Sequence, residues 1–443
     1  MYSDKVRVVL EKVGVSPGDR VLVEKGKEKF EGVLMPKPES AGDPETLVVK
    51  LDSGYNAGVK FDAAVKILKK EGGAKLQSFP SLSLKQDASL PELSLIATGG
   101  TIASRVDYNT GGVKWLMEPG NLFALAPELA GIARFRMQKP FLVGSENMCA
   151  KHWMQIAEAA AKELNSGVRG VVVTHGTDTL HFSSAALSFM LKDIPAPVAL
   201  TYAQRSSDRG SSDSPMNLVC ASQFAAKADA AEVVLVGHAE SSDSYCFAIR
   251  GTKARKMHSS RRDAFRPIND TALAKIWPDG KIEMAGEARK RSKSKAVADA
   301  VFEEKTALVK FHPCASPELI DFFVDKKYRG IVIEATGLGH VATDESEHNW
   351  LPALKRAIEE GVVVCFAPQT IYGRVDPFVY AEARKAHELG VVYCQDMLPE
   401  TAFVKLGWLL GHKGMGAKEV GKKMLENVAG ELNPRLTENQ FMA

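Results

Sequence analysis

Short apolar runs set the rhythm of this chain, and the rhythm changes twice. Over the first 80 or so residues, SPGDRVLVEKGKEKFEGVLMPKP and TLVVKLDSGYNAGVKF alternate apolar and polar positions, broken every few residues by Gly, Asp or Pro. Such alternation with frequent turn residues predicts short strands gathered into a small β-barrel or sandwich. Residues 77–92, QSFPSLSLKQDASLPE, are rich in Ser and Pro and read as a linker. From Leu93 onward, LSLIAT, VVVTHG and AEVVLVG are short apolar runs that end in Gly or polar turns. Between them lie amphipathic stretches such as WMQIAEAAAKELNSG, closed by a glycine in the manner of a helix C-cap. Strands alternating with helices predict a mostly parallel, doubly wound sheet. Around 279–305 the chain turns polar and basic. Past it, TALVKF, GIVIEATG, VVVCFA and GVVYC announce a second α/β unit, with LPALKRAIEEG as a clear helix. The expected organisation is a small N-terminal β-barrel domain over 1–80 and a linker over 81–92. An α/β domain over 93–278, a basic linker over 279–305 and a second α/β domain over 306–443, ending in a helix and tail, follow.

Composition changes this picture little. The chain has 443 residues, 45% hydrophobic and 25% charged, which is ordinary for a soluble globular protein of several domains. No stretch approaches the roughly 20 apolar residues of a membrane span, and the charged start MYSDKVRVVLEKVG lacks a signal peptide's apolar core. The expected address is the cytoplasm, with no membrane partner. Cys149, Cys220, Cys246, Cys314, Cys365 and Cys394 are scattered, without a C-x-x-C pair, so reduced and mostly buried thiols are expected and a zinc site is not. The net charge of +3 exerts no strong pull on nucleic acid. The run RKRSKSK, Arg289 to Lys295, is the local exception. It reads first as a solvated linker, because like charges resist compact packing, and second as a contact for phosphate or an acidic partner.

Three short segments carry candidate chemistry. ATGGTIAS, 97–104, follows a strand-like run, and ligands of open α/β sheets gather at the C-terminal ends of strands. Gly99 and Gly100 let the backbone approach a ligand closely, and Thr101 then presents a hydroxyl. By itself such a segment is more often simply a turn, and a glycine-rich loop could also cradle a phosphate. HGTDT, 175–179, has the same placement after VVVTHG, with Thr177 and Asp178 at a helix start; capping the free N–H groups there is an equal explanation. His175 and His181 receive no catalytic assignment. In RGTKARKMHSS, 250–260, Lys256 is one cation among Arg250, Lys253 and Arg255. These form either a basic surface or, if a lysine is buried beside a hydroxyl, a device for activating it.

Together the three segments resemble the L-asparaginase/glutaminase family. TGGTIAS is similar to its first threonine motif, HGTDT to its second, and the lysine after RG to its catalytic lysine. The likeness extends through GSENM (144–148), DAFRPIND and ATGLGH (335–340) and covers roughly residues 93–415. It implies two doubly wound asparaginase-type domains that need neither metal nor organic cofactor. It implies Thr101 as nucleophile and Tyr108, in SRVDYNTGG, as the tyrosine that closes over the site. Thr177, Asp178 and Lys256 would position and activate water or the nucleophile. Ser145 and Glu146 would hold the substrate's α-carboxylate and α-amino end, and Asp178 would also pair with the substrate's ammonium. Backbone N–H groups near Gly100, Gly176 and Thr177 would stabilise the oxyanion. An amide is a poor electrophile, so hydrolysis through an acyl-enzyme divides one hard step into two easier ones. The extra N-terminal segment, with PGDRVLVE and VVKLDSGYNAGV, is similar to the barrel of the archaeal glutamyl-tRNA(Gln) amidotransferase D-subunit family, as are HFSSAALSFML and QDMLPETAFVKLGWLLG. That likeness implies a homodimeric glutaminase component of a heterotetramer. It would hydrolyse glutamine, or asparagine, and pass ammonia to the amidotransferase E-subunit. That partner would use ATP and Mg and hold most of the Glu-tRNA(Gln). A free-standing asparaginase or glutaminase with an added domain is the alternative.

Overall fold

The computed structural model describes residues 1–37, 42–71, 87–106, 113–114, 126–207 and 209–441. The first unit opens with a helix, α1 (Asp4–Lys12), whose N-cap Ser3 accepts a hydrogen bond from the Val6 N–H at 3.4 Å. Strands β1 (Arg20–Lys25), β2 (Glu28–Leu34), β3 (Thr46–Leu51), β4 (Asn56–Lys60) and β5 (Val65–Lys69) then form an antiparallel sheet in the order β4-β3-β2-β1-β5. Alternation places Val21, Val23, Leu47 and Val49 on its inner face, where Val6 and Leu10 of α1 cover them. The pattern thus predicts the strands. It misses α1, because a single amphipathic helix of nine residues sits inside a segment read only for its charge.

The second unit is built on a mixed sheet of eight strands. In chain order these are β6 (Glu92–Ala97), β7 (Arg134–Gln138), β8 (Gly170–Thr174), β9 (Val198–Thr201), β10 (Val233–His238), β11 (Cys246–Arg250), β14 (Ala274–Ile276) and β15 (Ile282–Met284). Their order across the sheet is β15-β14-β11-β10-β9-β8-β6-β7. The five strands from β7 to β10 run parallel, and the last three antiparallel. A hairpin of β12 (Ala254–Lys256) and β13 (Phe265–Pro267) lies outside the sheet. Helices α2 (Ala150–Asn165), α3 (Leu180–Met190) and α4 (Ser214–Lys227) complete the unit. α2 and α3 share one core with β8 and β9, while α4 packs into the other. This two-sided coverage explains why the central strands read as continuous apolar runs.

The third unit has four parallel strands in sequential order, β16 (Thr306–Lys310), β17 (Gly330–Ala335), β18 (Val363–Pro368) and β19 (Val392–Tyr393). Helices α5 (Glu318–Asp325), α6 (Leu351–Glu359) and α7 (Ala381–Glu388) accompany them. α8 (Pro399–Gly411) joins the two α/β units: Leu406, Leu409 and Trp408 enter the same core as Leu187 and Phe189 of α3. Phe189 and Trp408 stack with ring centroids 5.7 Å apart. α9 (Ala417–Met424) follows.

The stretch 279–305 is not a free linker throughout. β15 extends the sheet, and Val297–Ala298 pair with Leu191–Lys192. Within RKRSKSK, Arg291 donates to the carbonyls of Ala228 and Ala225, both at 2.7 Å, and Arg289 pairs with Glu232. Lys290 adds an exposed ion pair with Asp229 at 3.6 Å, so three of the five cations meet carbonyls or carboxylates of the domain; Lys293 and Lys295 are exposed. All six cysteines are free; four are buried, whereas Cys149 and Cys314 are exposed. Among the described residues no helix is long and apolar enough to cross a membrane.

Candidate active site

Two glycine turns meet where the parallel strands end. The Thr98 hydroxyl and N–H both donate to the Thr174 carbonyl, at 2.8 and 3.2 Å, so β6 and β8 finish side by side. Beyond them Gly99 and Gly100 take φ of 118° and 84°, the left-handed region that other residues avoid. A Cβ on Gly100 would lie 2.4 Å from the Gly176 Cα and N. The turn that carries Thr101 is thereby pressed against the turn that carries Thr177. Thr101 opens a short 3-10 turn and is half-buried; the Ser104 hydroxyl donates to its carbonyl at 2.7 Å.

The second turn is held from below by a directed chain of hydrogen bonds. The Trp153 indole N–H donates to Ser183 Oγ at 2.9 Å, and Ser183 lies 2.8 Å from His175 Nε2. His175 Nδ1 lies 2.6 Å from the Gly176 carbonyl, which can only accept. The ring must therefore carry its proton on Nδ1, and Nε2 accepts from Ser183. Burial keeps this imidazole neutral, lowering its pKa to about 4. His175 is a structural support of the turn, and His181, lowered to about 3 by burial and then by the Arg255 and Lys256 charges, is likewise neutral.

Above this support sit the polar groups of the site. Lys256 Nζ donates to Thr177 Oγ1 and to Asp178 Oδ1, each at 2.8 Å. Thr177 is buried, whereas the Asp178 side chain is 64% exposed. The lysine thus bridges an inner hydroxyl and an outer carboxylate. Ser145, 2% exposed, accepts from the Asp178 N–H at 3.0 Å, and the Thr179 hydroxyl donates to the Ser145 carbonyl at 2.6 Å. A Cβ on Gly176 would lie 2.8 Å from Ser145 Oγ, so this turn too depends on a bare backbone. Glu146 is exposed beside Gly144 and accepts from the Asn147 amide at 3.2 Å. An open depression of about 330 Å3, lined by Asp178, Lys256, Met257, His258 and Ser259, lies over the group.

The structure therefore brings Gly100, Thr101, Ser145, Gly176, Thr177, Asp178 and Lys256 to one place, with Glu146 at its edge. Tyr108 lies outside the described residues. Among the described residues no cluster of His, Cys, Asp and Glu could hold a metal ion. Sequence reasoning missed the supports Thr98, Thr179 and Ser183, and the partners of buried Lys253, just before the Lys256 strand, and half-buried Arg255, on it. A hydroxyl two residues past a motif, or a cation within a basic run, gives no sign of what it faces.

Comparison with known proteins agrees with this geometry. Family models match at residues 92–290 (asparaginase, N-terminal), 305–424 (glutaminase/asparaginase C-terminal domain) and 15–69 (GatD N-terminal domain). The thermostable L-asparaginase from Thermococcus kodakarensis superimposes with a TM-score of 0.69 at 29% identity, over 78% of this chain and 100% of that one. L-asparaginase I from Vibrio cholerae gives 0.67 at 26% identity, over the same shares. Fold and site thus define an asparaginase-type α/β protein with a further N-terminal sheet domain. Full-length relatives narrow this. The glutamyl-tRNA(Gln) amidotransferase D-subunit of Pyrococcus furiosus is 49% identical over 99% of this chain and 100% of its own length. That of Methanothermobacter thermautotrophicus is 42% identical over 98% of both. The chain belongs to the D-subunit family of glutamyl-tRNA(Gln) amidotransferases.

Proposed function

We propose that this chain is the glutaminase component of a tRNA-dependent glutamyl-tRNA(Gln) amidotransferase, and that it works in the cytoplasm. The observation that carries the reading is Lys256, bonded at once to Thr177 and Asp178 on a turn pressed against Gly100. The Thr101 hydroxyl adds to the side-chain amide carbon of glutamine while its proton passes to a base at the site. Backbone N–H donors near Gly100, Gly176 and Thr177 hold the oxygen that becomes negative, worth about 3 kcal/mol per donor. That base gives the proton to the amide nitrogen as the C–N bond breaks, ammonia leaves, and water releases glutamate from the acyl-enzyme. Lys256, Thr177 and Asp178 orient and polarise the nucleophile or the water. Ser145 and Glu146 receive the α-carboxylate and α-amino end, with Asp178 pairing to the ammonium. Tyr108 closes over the bound substrate.

The ammonia serves a partner, the amidotransferase E-subunit, which activates the glutamate of Glu-tRNA(Gln) with ATP and Mg; two copies of each chain make the complex. Relatives matched end to end support the assignment, since the L-asparaginases cover only 78% of this chain. We also propose that the N-terminal sheet curls into a barrel. Lys25 on β1 reaches the Lys60 carbonyl and Asp62, each at 2.8 Å, and so draws the end of β4 toward β1.

The test is ammonia release from glutamine and from asparagine, by the chain alone and then with the E-subunit, ATP, Mg and glutamyl-tRNA(Gln). Slow release alone with strong stimulation by the full mixture is expected. Fast release alone, unchanged by the additions, would make this a free-standing amidohydrolase. Thr101→Val is expected to abolish turnover while glutamine still binds; undiminished turnover in that variant removes Thr101 as the nucleophile.

A further inference from the structure

Lys256 sits on β12, a strand of three residues whose only ladder partner among the described residues is the equally short β13. So short a hairpin cannot by itself fix an ammonium to within an ångström. The restraint comes from the other α/β unit. Lys253 Nζ lies 2.6 Å from Asp396 Oδ2, and both side chains are fully buried. Arg255 Nη2 lies 3.1 Å from Glu400 Oε1, with the two side chains 20% and 12% exposed. Asp396 and Glu400 are four residues apart, at the entry to α8, and they grip the residues on either side of Ala254. The Thr401 hydroxyl adds a third hold, donating to the Thr252 carbonyl at 2.8 Å.

The carboxylates are themselves held. Asn433 donates to Asp396 through its backbone N–H at 2.9 Å and its side chain at 3.1 Å. Asn269, just past β13, donates to the Asp396 carbonyl at 3.0 Å. The backbone of Asn269 and of Gln395 is left-handed, each at φ 55°. A glutamine in that region is unfavourable and persists only where the surroundings over-determine it. Glu400 also lies 4.0 Å from His181 Nε2, on the helix that follows the Thr177 turn, so the entry to α8 meets that helix as well as the hairpin.

We propose that Asp396 and Glu400 form a two-point carboxylate clamp that seats Lys256, making them, with Lys253 and Arg255, positioning residues for amide hydrolysis. The clamp rests on the reading of Lys256 given above. It assigns the C-terminal unit a direct task in the reaction carried out by its neighbour: the unit fixes the register and tilt of the strand that holds the ammonium. Displacement of a reacting group by an ångström can cost up to about a hundredfold in rate.

The test uses the full chain assembled with its E-subunit partner. Glu400→Gln keeps the shape and removes the charge. Lys253→Met with Asp396→Leu removes both buried charges together, so that neither is left uncompensated. In both, kcat is expected to fall by roughly ten- to a hundredfold with KM for glutamine within about twofold of the parent and the unfolding temperature little changed. Arg255→Met combined with Glu400→Gln should cost no more than either alone, because the pair acts as a unit. A second readout is independent of turnover: reductive methylation of Lys256, followed by peptide mass spectrometry, should speed up when the clamp is opened. Unchanged kcat and unchanged Lys256 labelling in the folded variants would overturn the clamp, as would a fall in kcat matched by an equal rise in KM. Undiminished turnover in Lys256→Ala would instead remove the catalytic reading of that lysine, and the labelling rates would still decide whether the clamp seats it.

Discussion

The proton on His175 shows how much of this site is decided one atom at a time. Trp153 donates to Ser183, Ser183 to His175 and His175 to Gly176, and each group has one role that the next requires. Ser183→Ala breaks the middle of that chain and leaves a buried indole N–H and a ring nitrogen without partners. Buried unsatisfied groups cost about 1–3 kcal/mol each, so the variant should show a lowered midpoint in urea unfolding. A neutral variant would show that water replaces the hydroxyl. The same burial sets a pH dependence. The folded pKa values of His175 and His181 are depressed from 6.5 to about 4 and about 3. Between these limits the unfolded chain binds protons that the folded chain does not, so stability falls as pH is lowered below 6.5. Each ring contributes at most roughly 1.4 kcal/mol per pH unit. Stability from pH 7 to 5 should therefore decline less steeply in His181→Asn than in the parent; equal slopes would place the titration elsewhere. The sequence makes Thr101, Thr177, Asp178 and Lys256 legible because their chemistry is tied to short segments. It cannot announce His175 as a support, since nothing in HGTDT says which way the ring points.

At the scale of elements, apolar runs and glycine stops place the strands and turns well. VVVTHG ends in the residues where β8 ends, and TGG follows β6 directly. What periodicity could not foresee is that these turns would touch. Gly100→Ala is the sharp probe: its Cβ would meet Gly176 backbone at 2.4 Å in a left-handed conformation, so the two turns must separate. Turnover should drop at least about a hundredfold with the fold retained by circular dichroism; activity close to parental would show that the turns need not touch. The hairpin β12–β13 is the least legible element. RGTKARK looks like a basic surface because strands of three residues leave almost no alternation to read. Lys253 and Arg255 pair with acids about 140 residues away, Asp396 and Glu400, and pairing over that distance leaves no local pattern. Stretch 279–305 is obscured for the same reason: its basic composition hides the partners, a sheet edge and a row of carbonyls, that take it in.

Taken whole, the molecule is a set of units tied by polar contacts as well as by apolar packing. Tyr55 of the N-terminal sheet bonds Ser211, and Ser207 on that same loop donates to the Ser104 carbonyl at 3.2 Å, three residues beyond Thr101. The first domain thus rests on a loop that reaches the turn of Thr101. At the other end, Lys405 of α8 pairs with Glu431 at 2.6 Å, both fully buried, and also donates to the Met424 carbonyl at 3.0 Å. Removing one partner of such a pair leaves an uncompensated charge, so Glu431→Ala should destabilise the fold by about 3–5 kcal/mol. Denaturant unfolding checks it, and a loss below about 1 kcal/mol would mean that water reaches Lys405. The buried pair is invisible in the sequence, where lysine and glutamate stand 26 residues apart in unlike elements.

The hold of Asn433 on Asp396, and of Asp396 on Lys253, bears on the order in which a growing chain acquires its parts. Both threonines and Lys256 leave the ribosome long before residue 396, and domains fold from the N-terminus as they emerge. Until residue 396 is made, Lys253 lacks the carboxylate that receives it and the strand beside it has no seat. A nascent or prematurely terminated chain would therefore carry Thr101, Thr177 and Lys256 before the strand that holds the lysine has its seat.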